Sequence, residues 1–228
     1  MLRKTLLTTA LVGAAFLGIA QANAAVLTWD LTTPGGLLGV SQNYSAGSPP
    51  ITIRATGFIN GNFVPGNETA LFGKEAGGDE VGLGLNDDPT LSGGVSEHEL
   101  NGTSWIQLNI TNAVAAGVHG LSFIMDSTTG CTALPCTTGD SWRVFGSNSA
   151  TSLGAQLPGL IGFDEGVSHS LPTGFDFINF QAVTGNVLIT SISGSTIPEP
   201  STWTMMLLGF AGLGFAAWRG VHKRGVSI

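Results

Sequence analysis

Over much of the chain, apolar and polar residues alternate one by one. Ile51-Thr52-Ile53-Arg54-Ala55 places Ile51, Ile53 and Ala55 on one face, and Trp105-Ile106-Gln107-Leu108-Asn109-Ile110 does the same with Ile106, Leu108 and Ile110. Segments 121–125, 142–145, 175–180 and 187–192 repeat the pattern. A period of two is that of a strand with one buried face. Clusters such as Asn60-Gly61-Asn62 and Thr184-Gly185-Asn186 separate the segments and read as turns. Only 111–118 breaks the rhythm, as a short helix or a loop. Short strands with regular turns predict an all-β domain of two antiparallel sheets, a β-sandwich or jelly roll. No internal repeat and no second domain boundary interrupts it.

The two ends lack this alternation. Arg3 and Lys4 precede an apolar segment, 6–20, and Ala22-Asn23-Ala24 fits a small-x-small cleavage site. Residues 1–24 thus read as a secretory signal peptide, with Ala25 the first residue after cleavage; a retained anchor is the alternative. Near the other end, 203–218 is an uncharged run of 16 residues with Trp203 and Trp218 at its limits. As a helix it would be about 24 Å long, a minimal single transmembrane span. Pro198 and Pro200 stop any helix from running back into the preceding domain. Arg219, Lys223 and Arg224 would hold the C-terminus on the cytoplasmic side. A buried core helix is the other reading of this run. What remains is 25–196, long enough for one domain with a substantial core.

Pro198-Glu199-Pro200-Ser201-Thr202-Trp203, the run Met205-Met206-Leu207-Leu208-Gly209-Phe210-Ala211-Gly212-Leu213-Gly214 and the basic end 219–224 come in a fixed order. Together, 197–224 resembles the PEP-CTERM sorting signal. That resemblance implies an exported protein of a Gram-negative bacterium whose Pro198, Glu199 and Pro200 are recognised by an exosortase, a membrane protease-transpeptidase. It implies transient residence in the inner membrane, then a cell-surface or extracellular destination linked with exopolysaccharide and biofilm matrix. The basic end is diluted (Arg219-Gly220-Val221-His222-Lys223-Arg224) where the family often has an unbroken Arg run. Segment 71–89, with its Gly82-Leu83-Gly84 core, and Ser104-Trp105-Ile106-Gln107-Leu108 also resemble PEP-CTERM ectodomains. There a Gly-rich acidic segment leads into a Glu-bearing strand, here Glu97-His98-Glu99-Leu100, in a β-sandwich of unassigned activity.

Removing the ends changes the charge. Residues 25–200 hold all fifteen acidic residues but only Arg54, Lys74 and Arg143 among the basic ones, a formal charge of −12 against −7 for the whole chain. Such a surface repels nucleic acid and anionic lipid and suits cation binding. Good helix formers are scarce beside 34 glycines, which again disfavours a helical domain.

Candidate chemistry is sparse. Asp79, Glu80, Asp87, Asp88, Glu97 and Glu99 put six carboxylates within 21 residues, a donor set that fits Ca²⁺; a solvated acidic loop is the plainer reading. Cys131 and Cys136 are the only cysteines and are expected to form a disulfide clipping one loop in an exported chain. The four-residue spacing is not that of a redox pair. His98, His119 and His169 read as surface or hydrogen-bonded histidines. There is no Gly-x-Ser-x-Gly elbow, His-Glu-x-x-His, phosphate loop or dinucleotide fingerprint. Trp29, Trp105 and Trp142 fit either a sugar-stacking platform or a core. The expectation is an exported protein without catalysis; the alternatives are a Ca²⁺-dependent carbohydrate-binding module or a secreted glycoside hydrolase using Glu97 and Glu99.

Overall fold

The alternating segments fold as strands whose apolar faces meet across a shared interior. In the computed structural model, the described residues are 24–59, 63, 66–74, 80–86, 98–102, 104–126, 139–196 and 209–213. The signal peptide, Cys131 with Cys136, Pro198-Glu199-Pro200, and the basic residues Arg219, Lys223 and Arg224 lie outside them. The strands are β1 (Ala25–Asp30), β2 (Gly36–Gly39), β3 (Ser41–Ala46), β4 (Ile51–Ile59), β5 (Glu68–Thr69), β6 (Leu71–Lys74) and β7 (Gly82–Leu85). After them come β8 (Ser104–Asn109), α1 (Thr111–Ala115), β9 (Val118–Asp126), β10 (Ser141–Ser147), β11 (Ala155–Gly162), β12 (Ser168–Ser170), β13 (Phe177–Thr184) and β14 (Leu188–Thr196).

Two seven-stranded sheets result. The first runs β12-β9-β14-β7-β6-β2, with β1 also on β14; the second runs β11-β10-β13-β8-β4-β3, with β5 also on β4. Neighbouring strands pair antiparallel throughout. Strand β11 accommodates Pro158 in the register shift between its pairings Gln156↔Phe145 and Ile161↔Arg143. Ala24–Pro200 forms one compact unit, separate from the two chain ends.

Alternate residues of both sheets enter one core: Ile53 and Ala55 from β4, Ile106 and Leu108 from β8, Phe123 and Met125 from β9, Ile189 and Ile192 from β14. The sheets interlock through Phe123 of the first, which packs edge-on against Trp142 and Phe180 of the second, each with ring centres 5.1 Å apart. Trp29 of β1 is fully buried and donates its indole N–H to Ile51 O at 2.8 Å, tying the sheets at another point. The break in rhythm at 111–118 resolves as the one-turn α1, whose Thr111 N–H is received by Asn109 Oδ1 at 3.0 Å. Within the C-terminal apolar run, 209–213 is helical, and Phe210 and Leu213 are exposed. Among the described residues no helix is long and apolar enough to cross a membrane.

Candidate functional site

Two described pieces flanking the acidic residues fold as strands. These are β6 and β7, paired from Leu71↔Leu85 to Lys74↔Gly82, and β7 continues the sheet through Ile189 of β14. Leu71 and Gly73 face the core, so Phe72 and Lys74 take the opposite face. Lys74 therefore sits at the mouth of the β6–β7 hairpin, and Glu80 returns to it just before β7 begins. The Lys74 ammonium donates to Glu80 Oε2 at 2.5 Å and also to Glu99 Oε1. Both carboxylates are buried, at 2% and 7% exposure, while Lys74 is half-buried.

Glu99 arrives by backbone pairing. Leu100 and Val187 exchange two backbone hydrogen bonds, of 2.9 and 3.0 Å, and fix this segment against the start of β14. Gly84 lets it come that close. A Cβ there would lie 2.0 Å from His98 O and 2.7 Å from Glu99 Cα, a separation only glycine allows. His98 takes a left-handed backbone (φ +59°), stacks on Phe72 with ring centres 3.8 Å apart, and places Nδ1 3.1 Å from Asn86 O. Beside it, Asp126 Oδ2 accepts the Val81 N–H at 2.9 Å. The segment with the Gly-Leu-Gly core and the segment bearing Glu99 thus form one unit.

The electrostatics follow from one cation serving two buried carboxylates. Burial, together with the hydrogen bond and charge of Glu80, raises the Glu99 carboxyl from 4.5 to about 7, against the pull of Lys74. Lys74 is also raised: burial works against its charge, but the hydrogen bonds and charges of Glu80 and Glu99 outweigh that. A carboxyl that holds its proton more tightly when folded stabilises the fold below its unfolded value, and that contribution is lost as pH rises through about 7. The cluster opens to water through Lys74, so the loss between pH 5 and pH 8 is expected to be only about 1–2 kcal/mol. Melting curves should show a midpoint about 2–8 °C lower at pH 8 than at pH 5. Glu99→Gln should flatten that difference; an equal slope in the variant would refute the assignment.

Of the six carboxylates expected to gather round a cation, Glu80 and Glu99 meet at Lys74, and Asp79, Asp87, Asp88 and Glu97 lie outside the described residues. No group of three or more His, Cys, Asp or Glu side chains fit to hold a metal occurs among the described residues. The sequence did not single out Lys74, although it is the only lysine between residues 25 and 200. In so acidic a domain that isolation was the available signal.

The three tryptophans and His169 have structural roles. Trp29, Trp105 and Trp142 are buried, with at most 5% exposure, and offer no stacking platform. His169 Nε2 lies 3.1 Å from Asp164 Oδ2, and its ring packs against Trp142 and Phe123. His119 is exposed on β9. The last strand of the first sheet, β14, ends at Thr196, and there the known families enter: the PEP-CTERM protein-sorting motif matches residues 196–224. The chain carries a PEP-CTERM sorting signal. The match spans Pro198-Glu199-Pro200, the apolar run and the basic end in order, and begins on the last residue of the last strand. No curated protein and no solved structure matches the chain.

Proposed function

We propose that this chain is an exosortase substrate that reaches the cell surface or the extracellular matrix and performs no reaction of its own. The signal peptide 1–24 delivers 25–196 across the inner membrane. Residues 203–218 then hold the protein there, with Arg219, Lys223 and Arg224 on the cytoplasmic side. A membrane transpeptidase recognises Pro198, Glu199 and Pro200 and removes the tail. The released domain joins the exopolysaccharide of a Gram-negative envelope or biofilm. The sorting motif at 196–224 carries this reading. It is supported by the charge of −12 on residues 25–200, which suits a protein that must stay soluble and clear of nucleic acid and anionic lipid.

Intact mass tests it directly. Protein from culture supernatant is expected to begin at Ala25 and to lack residues 203–228. Replacing Pro198, Glu199 and Pro200 together by alanine is expected to leave the tail in place and the protein in the membrane fraction. Supernatant protein that still ends at Ile228 would sink the proposal.

A further inference from the structure

The outward face of the second sheet is built unlike a solvated surface. Its register aligns Thr56, Gln107, Asn179 and Phe145 across four strands, and beside them Arg54, Asn109, Phe177 and Ser147. Gln107 and Asn179 point away from the main core yet are 5% and 0% exposed. Their carboxamides are held in a chain: Gln107 Nε2 donates to Asn179 Oδ1 at 3.0 Å, and Asn179 Nδ2 donates to Leu153 O at 2.8 Å. A second aromatic cluster, Phe58, Phe63, Trp105 and Phe145, packs on the same face with Leu153 against it. Fixed amides over an aromatic floor cost conformational freedom and desolvation, and the main core does not need them.

Between the segment carrying Phe63 and Glu68 and the loop at Ala150 and Thr151 lies a cleft of about 190 Å³. Arg54, Glu68, Gln107 and Asn109 give it polar walls, and Phe63 and Phe177 give it apolar ones. Of the three basic residues between 25 and 200, Lys74 is taken by two carboxylates, and Arg143, whose Nε donates to Gln181 Oε1 at 2.6 Å, does not line the cleft. Among the described residues the Arg54 guanidinium bonds Ser41 Oγ at 2.8 Å, which leaves further N–H donors of its fork open. The cleft thus combines a guanidinium, a carboxylate and the Asn109 carboxamide with the ring of Phe177, so it can donate to and accept from hydroxyls on one ring. A polyanion is disfavoured by the domain's charge of −12, and the volume is below that of a drug-sized pocket.

We propose that this cleft binds one sugar ring of a neutral polysaccharide, with Arg54, Glu68 and Asn109 hydrogen-bonding its hydroxyls and Phe177 packing on one apolar face. The inference rests on the matrix association proposed above and gives it a site; it does not depend on the sorting route.

The test is affinity electrophoresis of the full-length chain in mild detergent through gels containing a glucan, a galactan, a mannan or, as the anionic control, alginate. Wild type is expected to be retarded by at least one neutral polymer and not by alginate, with or without EDTA. Arg54→Ala removes the free donor fork, and Thr151→Trp fills the cleft from its exposed loop wall. Each is expected to weaken retardation about tenfold or more, with an unchanged melting midpoint. Wild-type retardation that both variants retain would overturn the site and leave matrix association standing. Retardation abolished by EDTA would overturn the cleft in favour of a cation-dependent surface. No retardation by any neutral polymer would overturn the site and the association together.

Discussion

Lys74→Met is expected to destabilise the domain by about 2–3 kcal/mol at pH 8. The substitution leaves Glu80 and Glu99 facing one another while buried, at 2% and 7% exposure, with their common cation gone. Breaking a buried pair from one side costs more than the pair contributes, because the remaining charge is stranded. The figure is below the roughly 3–5 kcal/mol usual for a buried pair broken from one side, because Lys74 is itself half-buried and water can reach the vacancy. Acid should reverse the effect: below the raised Glu99 value of about 7 the carboxyl takes a proton, and the variant should approach wild type near pH 5. Adding Glu80→Gln and Glu99→Gln should recover much of the loss at pH 8 as well. Urea unfolding followed by tryptophan emission, with Trp29, Trp105 and Trp142 all buried reporters, measures both. A Lys74→Met loss as large at pH 5 as at pH 8 would show that the lysine acts through packing instead.

Gly84→Ala is expected to cost about 3 kcal/mol, near the upper end for overpacking. The added methyl meets backbone, His98 O and Glu99 Cα, and no side chain that could turn aside. Relief requires moving the segment that Leu100 pins to Val187 and that carries Glu99 to Lys74. Part of the cost is therefore the loss of the charge cluster, and Gly84→Ala combined with Glu99→Gln should fall short of additivity. The expected fall in melting midpoint is about 6–12 °C. Full additivity of the two substitutions would separate the close approach from the cluster.

Much of the scaffold could be read from spacing alone. The strict alternation of 51–55, 105–110 and 121–125 forecasts β4, β8 and β9 with the faces they present, because apolar residues two apart have one place to go. The short apolar Gly82–Leu85 strand was hidden among glycines that ordinarily signal turns. Here Gly84 serves a close backbone crossing, a constraint that arises only once the 98–100 segment is folded over it. The polar β3, Ser41–Ala46, carries too little apolar contrast to register. At the site, Glu80 and Glu99 lie six and 25 residues from Lys74, and no local rule joins them. The outward amides escaped for a simpler reason. Gln107 and Asn179 occupy the polar half of their strands, where a side chain normally meets water.

One pairing bears on how the protein is made. Strand β1 lies along β14, with Ala25 opposite Thr196, so the first strand finds its place only when the last strand has emerged. Completion of the first sheet must wait until translation and export have brought nearly the whole domain through. The finished fold then presents the start of β1 beside the start of the sorting motif, so a label fused just before Ala25 would crowd the very point where the processing enzyme has to work.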